Sequence, residues 1–178
     1  KAAAEILKFF NDRMKNILKE KKIRPDLIEA SLSEFAGDDF YVLFQKSQLM
    51  NKYLNKDLGK NTIYSYKRAH NILEGENKKS SEKYLGTPNP VLFKFDEEKI
   101  LFEKISEIKN NFFSSKDEIN YENMLEKLSE TRPFIDNFFD KVIVNDQNVD
   151  IKNNRLELLT LFCKTFNRLI DFSKIESA

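Results

Sequence analysis

Apolar residues recur every three or four positions along nearly the whole chain, and no stretch alternates long enough to build a sheet. The pattern predicts a first helix over 2–21, where Ile6, Phe10, Met14 and Ile17 share a face that Leu7 and Leu18 widen. Arg24, Pro25 and Asp26 restart the chain into a short second helix ending near Gly37. Asp38 then suits the cap of a third, which carries Phe40, Leu43, Phe44, Met50, Tyr53 and Leu54. A break at 58–61, with Gly59 as terminator, precedes a fourth helix over 62–74 that turns Ile63, Tyr66, Ala69 and Leu73 inward. An internal loop covers 75–95. It holds Ser80, Ser81, Gly86, Pro88 and Pro90, and ends in a short extended apolar piece at 91–95. A fifth helix follows over 96–112, a break at 114–117, and a sixth helix through Leu125 and Leu128 to about residue 130. Two more helices and a tail at 171–178 complete an expected all-α bundle of about eight helices, a single domain over 1–178.

The last two helices carry the strongest pattern. In TRPFIDNFFDKVIV (131–144), Pro133 suits a first helical turn, and Ile135, Phe138, Phe139 and Val142 fall on one face. Asp136 and Asp140 stand one turn apart at its edge. The next helix, from Ile151, sets Leu158, Leu159, Phe162, Phe166 and Leu169 in a second stripe, with Arg155 near its middle. A buried guanidinium requires a paired, hydrogen-bonded anion. The expectation is an ionic latch from Arg155 to Asp136 or Asp140.

Charge changes the picture more than composition does. The formal net charge is only +1. Yet 52–83 holds eight Lys and Arg against four Asp and Glu, a local +4, while 96–130 holds five against ten, a local −5. Within the basic half, Tyr64, Lys67, Arg68 and Asn71 crowd one sector of the fourth helix. An aromatic ring, two cations and an amide together can stack a base, meet phosphates and read base edges, as single-stranded RNA demands. Lys60, Lys78 and Lys79 are outlying phosphate contacts in that reading, and Arg13, Arg24 and Arg132 are the cations to turn to if it fails. A solvated helix face is the plain alternative.

Catalytic groups are not legible. The chain has one His and one Cys, which excludes a Cys/His metal cluster and an internal disulfide, and it has no Gly-rich phosphate loop. His70 projects toward the apolar side of its helix and reads as a core or boundary residue, and Cys163 reads as a small core hydrophobe. The pair Asp136 and Asp140 could suggest acid–base work, but the structural reading weighs more. No apolar run approaches the roughly 20 residues that span a bilayer. The start at Lys1, directly in a helical pattern, reads as a piece of something longer.

The stretches PFIDNFFDKVIV and IKNNRLELL, with FFNDRM (9–14) and KRAHNIL (67–73) upstream in the same order, resemble the C-terminal end of the bacterial glycyl-tRNA synthetase beta subunit. One departure is Lys152, where the family pattern has Arg; Lys keeps the charge and loses the bidentate fork. The resemblance implies an all-helical anticodon-binding domain of the type named for an Asp-Ala-Leu-Arg motif. It implies glycine tRNA as partner, with the rest of the beta subunit and a catalytic alpha subunit in a cytoplasmic heterotetramer. ATP and Mg²⁺ would serve the parent ligase, and this piece would hold no cofactor, metal or catalytic residue of its own. Two alternatives stay open: the anticodon-binding domain of an arginyl-tRNA synthetase, and a helical protein–protein module whose basic face is incidental.

Overall fold

A computed structural model describes residues 2–33, 39–79, 83–113 and 119–176. Among the described residues eight α-helices run in chain order: α1 (Ala2–Glu20), α2 (Pro25–Ser33), α3 (Phe40–Tyr53), α4 (Asp57–Asn77), α5 (Asp96–Phe113), α6 (Tyr121–Ser129), α7 (Arg132–Lys141) and α8 (Val149–Asn167). Short 3₁₀ turns form at Pro90–Leu92 and Phe172–Lys174. The described residues contain no strand, so the fold is all-α as the periodicity predicts. Helices α3, α6 and α8 start at side-chain caps: Asp39 accepts from the Val42 N–H, Asn120 from Asn123, and Asn148 from Asp150 and Ile151. The expected helix end at Gly37, the Asp38 cap and the break at 114–117 lie outside the described residues.

Helix α4 is the hub, packed against α3, α6, α7 and α8. It is longer than expected at both ends. Gly59 does not terminate anything; it lies buried in the first turn of α4. A Cβ there would stand 2.8 Å from the Leu54 Cα, so glycine is what lets α4 press against the end of α3. At the other end α4 continues to Asn77, which moves the start of the loop from 75 to 78. The stretch 91–95 is not a simple extended piece either. Asn89 caps the 3₁₀ turn at Pro90–Leu92, leaving Val91 exposed and Phe93 buried.

The core is richest around α8. Phe162 stacks on Phe166 with ring centroids 4.5 Å apart, and Phe166 meets Tyr66 and Phe172. The tail therefore belongs to the core: Phe172 and Ile175 are buried, the Asp171 N–H donates to the Ala30 carbonyl at 3.0 Å, and Glu176 N–H donates to Asp26 at 2.9 Å. Each such apolar side chain contributes roughly 1.5–3 kcal/mol on burial. Cys163 is buried beside them, and burial pushes its thiol far above the ordinary range, which keeps it unreactive.

The polar side of α8 ties down connectors. Glu157 accepts the N–H groups of Leu85, Gly86 and Thr87 at 3.0, 2.5 and 2.8 Å. Asn154 exchanges two hydrogen bonds with the Asn89 backbone. Gly86 adopts φ +77°, and a Cβ there would meet the Leu161 backbone at 3.1 Å. Lys152 pairs with Glu76 at 2.6 Å, so the lysine that departs from the family pattern contacts a carboxylate of α4.

One expected stripe is not buried. Ile6, Phe10 and Ile17 of α1 stay 55%, 46% and 38% exposed, whereas Leu18 enters the core and Met14 packs partly buried against it. Among the described residues, the helices that α1 packs against most are α2 and α3.

Candidate nucleic-acid interface

The latch at Arg155 exists, with different partners from those expected. Arg155 is 1% exposed. Its Nε donates to Glu98 at 2.9 Å, and its Nη1 donates to Asp146 at 2.7 Å and to the Ile143 carbonyl at 2.8 Å. The second oxygen of Glu98 accepts the Lys94 and Phe95 N–H groups, so this buried carboxylate is itself satisfied. The Asn148 N–H and Arg155 together hold the Asp146 carboxyl below its usual range. Asp136 and Asp140 are therefore not the partners of Arg155. They lie on the side of α7 that faces α4, whereas Arg155 reaches the start of α5 and the turn after α7.

Asp136 and Asp140 hold Arg68 instead. The Arg68 guanidinium is hydrogen-bonded to Asp136, stands 3.7 Å from Asp140, and lies 4.9 Å from the Phe139 ring centroid. Its side chain keeps 32% of its exposure, so it is braced at its inner side and open at its outer side.

Tyr64, Lys67, Arg68, Asn71 and Lys60 come together as the α4 wall of one cleft of about 710 Å³, whose floor is Leu54 and Ile63. Lys60, Tyr64, Lys67 and Asn71 follow one another at helical spacing, which is why a single sector carries them. Lys78 and Lys79 are not part of it. They sit past the other end of α4, about 27 Å from Lys60 along the axis at 1.5 Å per residue, and Lys79 pairs with Glu76 at 2.8 Å. His70 is half-buried and stacks on Tyr66, in keeping with a boundary role.

Sequence reasoning held Arg132 in reserve, and the structure brings it to the site. Arg132 opens α7 and lays its guanidinium 4.5 Å from the Tyr64 ring centroid. Its Nη1 donates to Asn61 at 2.5 Å, and its Nε stands 3.8 Å from Asp136. Nothing local in the sequence links two residues that meet only because α7 lies across α4. Arg24, by contrast, pairs with Asp26 at 2.6 Å beside the chain's tail, and Arg13 is exposed on α1. Among the described residues no group of three or more His, Cys, Asp or Glu could hold a metal ion, and no helix is long and apolar enough to cross a membrane.

The profile of the DALR anticodon binding domain family matches residues 62–177, a span that takes in α4 from Thr62 onward, α7 and α8 and leaves Leu54 and Lys60 of the cleft just before it. Two relatives named glycine–tRNA ligase beta subunit, from two strains of Cereibacter sphaeroides, are 31% and 30% identical over 172 residues, which is 97% of this chain and 25% of theirs. A relative of the same name from Dinoroseobacter shibae is 29% identical over 97% of this chain and 24% of its own length. The chain thus spans about a quarter of the length of the curated relatives it matches.

Proposed function

The chain belongs to the DALR anticodon binding domain family, and from that premise we propose that it grips the anticodon arm of glycine tRNA through the α4 cleft. The α4 cleft carries this reading: Tyr64, Lys67, Arg68, Asn71 and Lys60 share one open wall, and all but Lys60 lie inside the span that the family profile matches. Cations there meet phosphates, and the ring and amide meet bases. Lys78 and Lys79, just past the far end of α4, extend the cationic surface along a phosphate backbone.

The proposal extends to the parent protein. The domain serves as the tRNA-holding part of a glycine–tRNA ligase beta subunit, in the cytoplasm, beside the rest of that subunit and an alpha subunit in a heterotetramer. ATP and Mg²⁺ act at the alpha subunit, and this domain supplies binding energy and selectivity.

The test is binding of labelled glycine tRNA against a noncognate tRNA across a salt series. Cognate preference and a linear fall of log affinity with log salt are expected. Equal binding of both tRNAs removes glycine selectivity from the reading, and no binding of either removes the reading itself. The purified chain should also show no glycine-dependent ATP–pyrophosphate exchange; clear exchange contradicts a purely binding role.

A further inference from the structure

We propose that the α4 cleft takes a single unstacked nucleobase against Tyr64, and that Arg132 is the positioning residue that holds the ring as its platform. This rests on the reading of the cleft as an RNA site and says what part of the RNA enters it.

The cleft is built for a flat group attached to an anion. Its floor is apolar, since Leu54 and Ile63 are both buried in the core. One wall is the ring of Tyr64, 43% exposed. Among the described residues that line the cleft the charged ones are Lys60, Lys67 and Arg68, with Asp136 and Asp140 behind Arg68. A base laid on an aromatic face, with its backbone phosphates beside cations, meets both features at once. The Asn71 amide, with a donor and an acceptor, is the group on that wall able to read a base edge.

Arg132 acts from behind. Its guanidinium lies over one face of the Tyr64 ring, 4.5 Å from the centroid, and the base is placed on the opposite face. Its hydrogen bond to Asn61, three residues before Tyr64 on α4, and its proximity to Asp136 on α7 tie the guanidinium to both helices. A ring held this way loses little freedom when a base stacks on its open side. Arg132 thereby favours binding without touching the RNA.

The experiment uses the 178-residue chain and a glycine tRNA anticodon stem-loop carrying 2-aminopurine at one loop position at a time. One position should be quenched on binding. Tyr64→Leu should abolish that quenching and weaken affinity about 5- to 150-fold. Tyr64→Phe, which keeps the ring, should retain the quenching and so separates loss of stacking from loss of fold. Arg132→Met should weaken affinity about two- to fivefold and reduce the quenching, with the salt slope unchanged. If Arg132→Met instead lowers the salt slope by about one and leaves the quenching intact, Arg132 is a phosphate contact and the platform role is overturned, while RNA binding by this face stands. If Tyr64→Leu leaves affinity and quenching unchanged, the base lies elsewhere and the inference fails on its own. Absence of stem-loop binding by the unmodified chain overturns both this inference and the functional reading beneath it.

Discussion

Arg155 and Arg68 each cross from one helix to carboxylates on another segment, and they differ in where water stands. The Arg155 and Glu98 side chains are 1% and 0% exposed. There the Arg155–Glu98 pair has no solvent to fall back on, and Glu98 is fixed by the Lys94 and Phe95 N–H groups, while the outer partner Asp146 keeps 31% exposure. The Arg68 and Asp136 side chains keep 32% and 30% exposure, and Asp140 keeps 67%. Water screens that second cluster, so its net contribution to folding is small and its cation can exchange partners with a phosphate. The same pairing chemistry gives a structural latch in one place and a braced, partly solvated cation in the other.

The largest expected effect separates them by stability. Arg155→Ala leaves Glu98 buried without its counter-charge and should destabilise by about 3–5 kcal/mol in urea unfolding. Arg68→Ala should cost about 1 kcal/mol or less. Comparable losses for the two variants would break the comparison. The next effect is on binding. Charge reversal at both Lys67 and Arg68 should weaken glycine tRNA binding and lower the salt slope by about one unit or less per charge removed. An intact fold with unchanged affinity would make this sector a solvated surface. The smallest effect concerns the far end of α4. Hydrogen bonds from Lys152 and then Lys79 hold the Glu76 carboxyl below its ordinary 4.5. A depressed carboxylate adds stability that is present above the unfolded value and lost as pH falls through the folded one. Glu76→Gln should therefore lower Tm at neutral pH, and the gap from the unmodified chain should close on acidification below about pH 4. A gap that stays constant with pH would show that Glu76 contributes only by its packing.

The stretches that carry the family resemblance are used differently by the fold. IKNNRLELL is a fastening strip, in which Lys152, Asn154, Arg155 and Glu157 each tie α8 to a helix end or a connector. PFIDNFFDKVIV buries Ile135, Phe138 and Val142 and presents Asp136 and Asp140 to Arg68 of KRAHNIL. Two of the stretches thus meet across one interface, between α7 and α4, at the edge of the proposed site.

What the sequence determined by itself is local. Helical periodicity set the α-helical elements and the inward faces of α7 and α8, because the spacing of apolar groups on one helix needs no knowledge of its neighbours. The burial of Arg155 and its need for an anion were legible for the same reason, from the apolar residues around it. The crowding of Tyr64, Lys67, Arg68 and Asn71 on one sector is likewise a property of α4 alone. The tertiary structure decided everything that depends on which element lies opposite. It gave Arg155 to Glu98 and Asp146, gave Asp136 to Arg68, and laid Arg132 over Tyr64. It turned Gly59 from a helix end into a contact point between α3 and α4, and left the apolar face of α1 largely exposed. Ion pairs act over a few ångströms between residues far apart in the chain, and a helix's pattern states which face seeks a partner without naming it.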